Sequence, residues 1–445
     1  MIQAAQLLLS LSILIVLHEM GHFLPARWFK IRVEKFYLFF DPWFSLWKKK
    51  KGDTEYGIGW LPLGGYVKIS GMVDESMDKA QMAKPPEPWE FRSKPAWQRL
   101  IVMIGGVTVN LLLGIAIYIG VLFVWGLDYL PIENSPYGLV PSKTMQEFGV
   151  QPGDRLLTVD GVKPESLQQA AKQILINDAK KLELDRNGSK VLVVLPEDIE
   201  ERSLGVEEKV LLSERIPFYV GGFTDQSNGE KAGLQVGDRI VAVDSVPTPM
   251  FDQFTGYLKD KKNVQVQVHV ERAGQPVALP VQVNDEGFIG VKTMASYDSL
   301  VARGHAYHIE TKKYGFLESF PAGISFGLEK LNDYVSSLKL LFTKSGAKQV
   351  GGFGSMGSMF PDEWDWQSFW MLTAFISIIL AFMNILPIPA LDGGHVVFLL
   401  YEMVARKPAP QRVMEVAQMV GMVLLLGLLL FANGNDVIKG LTGKF

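Results

Sequence analysis

The residues His18-Glu19-Met20-Gly21-His22 follow directly on an uncharged apolar run, Met1–Leu17. Helical spacing puts the two imidazoles four residues apart on one face, where both can bind a single zinc ion. The Glu between them is the residue type that takes a proton from a zinc-activated water, so the pattern predicts metal-assisted hydrolysis. Ionisable groups are costly in hydrocarbon, and a cluster of them inside a membrane span reads as a functional site. Catalytic zinc usually has three protein ligands and one open position. The third ligand must come from elsewhere in the chain. Asp392 is the candidate, because it follows the uncharged run Trp366–Leu391 and lies in the segment Asn384-Ile-Leu-Pro387-Ile-Pro389-Ala-Leu-Asp392-Gly393-Gly394-His395. The two prolines cannot continue a regular helix, and irregular backbone at membrane depth is tolerated where it lines a cavity or is buried in protein. Asp392 is therefore expected to face something polar, and one zinc ion per chain fits.

Membrane spans must carry these groups. Four runs are long enough, at 1–29, 100–127, 366–392 and 416–435. The first lacks a basic n-region and a small-residue cleavage site, which argues against a cleaved signal peptide. Apolar residues make up 48% and charged residues 20% of the 445, as expected of a membrane protein with sizeable soluble parts. A net charge of -3 gives no global basic field, so no nucleic-acid partner is expected. The chain has no cysteine, which excludes a disulfide framework and a cysteine-bound zinc. Lys and Arg in the loops 30–99 (Lys48–Lys51 among them) and 393–415 (Arg406, Lys407, Arg412) predict that both loops are cytoplasmic. The long segment between the second and third spans is then extracytoplasmic.

Within the first loop, Tyr56–Ser70 (YGIGWLPLGGYVKIS) predicts a β-hairpin or looped sheet close to the membrane. Asp74–Pro88 reads as a polar loop and Pro88–Arg99 as an interfacial segment. The extracytoplasmic segment contains a repeat: Gly149–Asp160 recurs as Gly233–Asp244, offset by 84 residues. A period of that size is one small domain, giving units at 128–212 and 213–296. Each copy predicts a Gly-Asp turn, an alternating strand, a tight turn, a short helix (Pro164–Leu175; Met250–Lys259) and a further strand (Val191–Leu195; Val264–Arg272). The connector 297–365 carries a helical apolar pattern over 310–342, including Leu328, Leu331 and Val335. Pro25 is expected to end or kink the first helix. Asn110 reads as interhelical packing, and His305 and His308 as surface residues.

The repeats resemble PDZ domains of the bacterial protease type, which bind extended peptides by adding a strand to a sheet edge. That resemblance implies peptide-binding loops at Tyr137-Gly138-Leu139-Val140 and Tyr219-Val220-Gly221-Gly222-Phe223. His18-Glu19-x-x-His22 together with Asn384-x-x-Pro387-x-Pro389-x-Leu391-Asp392-Gly393 resembles the site-2 protease family of intramembrane metalloproteases, over essentially the whole chain. The implied fold is a multi-pass α-helical membrane protein of four spans, with a membrane-associated β-hairpin or sheet and two extracytoplasmic PDZ-like α+β domains. The resemblance implies His18, His22 and Asp392 as zinc ligands and Glu19 as general base. It implies Asn384 and Pro389 beside the substrate, and Gly64-Gly65-Tyr66-Val67 as the edge strand that holds substrate extended. The implied partners are single-span membrane proteins, such as anti-sigma factors or signal-peptide remnants, cut within the bilayer of a bacterial inner membrane. Phe39–Trp43 and Gly352–Met356 depart from the family's usual sequence. The alternative class is a non-catalytic, zinc-containing membrane PDZ scaffold. A metal transporter would need several intramembrane carboxylates along a path, which this chain does not offer.

Overall fold

The computed structural model describes residues 1–62, 64–72, 85–205, 210–224, 226–294, 297–341 and 351–441. It divides into two units: Met1–Gly126 with Lys313–Phe445, and Leu127–Lys312.

The first unit has four helices long and apolar enough to cross a membrane, Ile2–Trp28, Ala96–Val124, Trp366–Ile385 and Gln411–Ile438. A helix bonds its own backbone groups, which hydrocarbon cannot do for it. The outward side chains suit that solvent: Leu8, Leu9, Leu112, Val423, Leu424 and Leu430 are exposed. Between helices the contacts are made by small and hydroxylic residues. A Cβ on Gly21 would lie 2.5 Å from the Gly105 carbonyl oxygen, so the first two helices cross backbone to backbone. Thr373 donates to Ser10 Oγ at 2.9 Å and Ser377 to the Asn110 carbonyl at 2.7 Å, tying the third helix to the first and second.

Two expectations about these helices are corrected. Of the end or kink expected at Pro25, the end is not found, and the first helix runs on to Trp28. Proline removes a single donor, and the ladder resumes where Phe29 N–H donates to the Pro25 carbonyl at 2.9 Å. Residues 393–405, expected as loop, form a helix, Asp392–Ala405. The third span ends at Ile385, and the proline-containing stretch to Leu391 separates the two helices. Asp392 thus opens a helix rather than closing one, and a carboxylate in the first turn is favourable there. Leu399 and Val396 bury this helix against Val102 and Met103 of the second span, and an Arg99–Glu402 ion pair reinforces the contact. The helical pattern expected over 310–342 is realised as Phe316–Leu341, packed on the second span through Phe326 against Tyr118 at 4.9 Å. Phe342 and residues 74–84 of the expected polar loop lie outside the described residues.

A four-stranded sheet follows the first helix, built from β1 (Val33–Leu38), β2 (Phe40–Lys51), β3 (Thr54–Leu61) and β4 (Tyr66–Ile69), in the order β2-β3-β1-β4. Of the two forms expected for Tyr56–Ser70, the looped sheet is found and the direct hairpin is not. β1 inserts between β3 and β4, parallel to the former and antiparallel to the latter. The hairpin is β2–β3, turning at Gly52 (φ +62°), and it carries exposed Lys48–Lys51 on β2. β4 is left as an edge strand.

The second unit contains two separate apolar cores, one around Leu156, Ile174, Leu182 and Leu184, the other around Ile240, Phe254, Val268 and Val270. Helices Leu167–Leu175 and Phe251–Lys259 fall at matching places in the two copies. The repeated Gly-Asp is more than a turn. Asp154 accepts from Arg186 Nε and Nη2 at 2.8 and 2.7 Å and from Gln151 N–H at 2.8 Å. Asp238 does the same with Arg272, at 2.8 and 2.7 Å, and with Gln235 N–H at 2.9 Å. Both carboxylates are buried, and each arginine also donates to a carbonyl, Gly149 or Gly233.

Candidate metal centre

Three ligand-type groups converge in the first unit. His18 Nε2 and His22 Nε2 are 3.2 Å apart, and each lies 3.3 Å from Asp392 Oδ2. A tetrahedral zinc with bonds of about 2.0–2.1 Å places its ligand atoms roughly 3.3–3.5 Å from one another. The observed triangle matches that span without rearrangement. His22 Nδ1 is 2.8 Å from the Val102 carbonyl, a contact that requires the proton on Nδ1 and turns the Nε2 lone pair toward Asp392. Asp392 Oδ2 is buried and, among the described residues, accepts no hydrogen bond of good geometry. The His22 lone pair and an unpartnered carboxylate oxygen thus turn toward one point beside His18 Nε2, an arrangement that a cation completes. By chemistry and by spacing the residues fit zinc.

Glu19 lines the same space. One cavity of about 680 Å³ is bounded by His18, Glu19, His22, Asp392 and His395, together with Gly65, Tyr66, Val67 and Lys68 from the β4 edge. A second, of about 250 Å³, shares His18, Glu19, Gly65 and Asp392 and adds Gly64, Asn110 and Asn384. The Gly-Gly pair lets the β4 entry lie flat on the first helix: a Cβ on Gly65 would sit 2.5 Å from Ile15 Cγ2 and 3.6 Å from Glu19 Cγ. Gly64 adopts φ +149°, a conformation that a side chain would strain. Tyr66 donates to Asp41 Oδ1 at 2.8 Å, and burial together with that carboxylate pushes its phenol well above the usual range, so it stays a donor. Asn384 Nδ2 is 3.5 Å from His18 Nε2. Pro389 lies outside both linings. It packs on Gly394 and against Gly421 of the fourth span.

Several supporting residues escaped the sequence reading. Asn110, taken as packing, has its amide 3.2 Å from His18 Nδ1. Gly106 leaves room for the imidazoles, since a Cβ there would press on His22 Nε2 and lie 2.8 Å from His18 Nε2. Gln418 accepts from Ala390 N–H at 3.2 Å and so steadies a residue held at φ +80°, two positions before Asp392. The available signal was polar or paired glycine residues inside otherwise apolar spans.

The candidate peptide loops of the second unit lie in paired strands. Leu139–Pro141 pairs with Leu212–Glu214, and Val220–Phe223 with Val291–Thr293. The main-chain groups of Leu139 are also bonded to Gly153 and Asp154, and those of Val220 to Gly237 and Asp238. Tyr137 and Tyr219 meet at His305, whose Nδ1 is 2.7 Å from one hydroxyl and whose Nε2 is 3.0 Å from the other. His305, expected at the surface, is half-buried and joins the two copies through these hydroxyls. Burial, then Arg239 and Arg303, hold its pKa below the usual value.

Spanning helices, a His/His/Asp triangle, a carboxylate beside it and a strand edge at its rim define a membrane-embedded metalloprotease. The chain belongs to peptidase family M50, whose model matches residues 6–428. It is similar to the regulator of sigma E protease of Haemophilus influenzae, 29% identical over 464 residues and covering 97% of this chain and 98% of that one. It is similar also to the regulator of sigma-E protease RseP of Salmonella typhimurium, 28% identical over 465 residues with 97% of each covered. The RseP of Escherichia coli K12 is 27% identical over 479 residues, again with 97% of each covered.

Proposed function

We propose that this chain is an intramembrane zinc endopeptidase that hydrolyses a peptide bond within the membrane segment of single-span proteins. In this reading His18, His22 and Asp392 hold the metal. The observation that carries it is the preformed triangle of 3.2, 3.3 and 3.3 Å. When bound, zinc supplies Lewis acidity toward the scissile carbonyl and the attacking water. Glu19 takes the water proton and delivers it to the leaving amide nitrogen. A helical peptide bond is shielded by its own hydrogen bonds, so substrate must unwind before attack. The β4 edge, reached through Gly64 and Gly65, offers main-chain partners to the unwound strand at Tyr66 and Val67. Asn384 hydrogen-bonds substrate near the scissile bond. The scaffold alternative is not favoured: three ligand-type groups leave zinc an open position, and a carboxylate stands beside it.

The family relatives named as regulators of sigma-E protease support a place in the inner membrane, with membrane-anchored anti-sigma factors as substrates. We place the Leu127–Lys312 unit outside the cytoplasm and read its two copies as PDZ-like. Because the main chain of Leu139 and Val220 is already paired, this unit serves as a size filter rather than a reader of peptide tails. The decisive experiment compares the native chain with Glu19→Gln on a single-span substrate in vesicles. The variant keeps zinc and loses cleavage. Undiminished cleavage by it overturns the proposal. A substrate bearing a bulky folded domain outside the membrane should resist cleavage until trimmed, and equal cleavage of both forms overturns the filter.

A further inference from the structure

Asn110 lies within the second membrane helix and is 1% exposed. Among the described residues its amide meets His18 Nδ1 at 3.2 Å, and its Oδ1 has no partner. A buried amide with most of its hydrogen-bonding capacity unused is a cost to folding, so stability does not account for it. Its backbone is held in place, because Ser377 of the third span donates to the Asn110 carbonyl at 2.7 Å.

Amide oxygen and nitrogen have nearly the same shape, and their assignment follows from the partners. With nitrogen toward the ring, His18 must keep its proton on Nε2, pointing into the triangle. With oxygen toward the ring, Nδ1–H donates to Asn110 and the Nε2 lone pair faces the other two ligand atoms. The second arrangement repeats what the Val102 carbonyl does for His22. We infer that Asn110 is a positioning residue for the metal centre, accepting the Nδ1 proton of His18 and thereby fixing its metal-binding tautomer. This rests on the zinc reading above.

The test uses the full chain in detergent, with Asn110→Leu and Asn110→Asp beside native protein. Zinc affinity is measured by competition with a chelator, and thermal unfolding is followed on metal-free protein. Leu removes the acceptor, and zinc affinity should fall about 10- to 100-fold while metal-free unfolding stays at or above the native temperature. Asp restores an acceptor for Nδ1–H and should bring affinity back to within about threefold of native. Native-like zinc affinity in the Leu variant overturns the inference. So does a Leu variant that loses metal-free stability together with affinity and is not rescued by Asp, since packing then explains both. Failure of the native chain to bind zinc removes the zinc reading itself, and the inference with it.

Discussion

The Gly21–Gly105 crossing makes a quantitative prediction for Gly21→Ala. The new Cβ would lie 2.5 Å from the Gly105 carbonyl oxygen, 2.7 Å from its carbon and 2.8 Å from Gly106 Cα. All three are backbone atoms, so no side-chain rotation relieves the overlap. Restoring ordinary contact at about 3.4 Å requires the two helices to part by about 0.9 Å. Two contacts span that seam, His22 Nδ1 to Val102 at 2.8 Å and His18 Nδ1 to Asn110 at 3.2 Å. They would lengthen to about 3.7 and about 4.1 Å, beyond hydrogen-bond range. Overpacking of this kind costs about 1–3 kcal/mol. Releasing both imidazoles should lower zinc affinity about 10- to 100-fold, with activity following. Chelator competition reads the affinity, and cleavage of a single-span substrate reads the activity. Gly120→Ala on the second span is the control, since a Cβ there has nothing within 4 Å. Native zinc affinity in Gly21→Ala would refute the claim that this crossing holds the histidines.

Other predictions follow from the same geometry. Asp392→Asn should lose zinc and all cleavage while the helices stay folded by circular dichroism, and retention of stoichiometric zinc would remove Asp392 from the ligand set. A strong chelator should abolish cleavage by the native chain and added zinc should restore it; activity that survives complete metal removal contradicts the mechanism. Asp238→Leu strands Arg272 without its buried partner and should destabilise the second copy by about 3 kcal/mol, read as a lowered melting transition. At His305 the folded state favours the neutral ring, so the unfolded chain binds more protons between the lowered value and about 6.5. Stability at the Tyr137–His305–Tyr219 junction therefore rises with pH across that window and is lost as pH falls through it. Hydrogen exchange around these tyrosines, corrected for intrinsic rate, should be faster at pH 5.5 than at pH 7.5, and His305→Phe should flatten the difference.

Periodicity and charge determined a good deal by themselves. Uncharged length marks the four helices, because hydrocarbon admits few alternatives. The spacing of His18 and His22 puts both on one helical face whatever surrounds them, and the prolines after Asn384 force a break before Asp392. The repeat is legible because each copy must build the same small core. The sequence could not show which elements meet. That β1 inserts between β3 and β4, and so leaves Tyr66 and Val67 on an open edge, depends on pairing between residues distant in the chain. That Asp392 opens a helix depends on Val396 and Leu399 farther along it packing against Val102 and Met103. The Gly-Asp pairs read as turns, yet their carboxylates are buried because arginines some thirty residues later reach them. Asn110 reads as packing because an isolated polar residue in a span usually is. It stands at His18 because Gly21 and Gly105 let two backbones touch, and only the folded chain brings those glycines together.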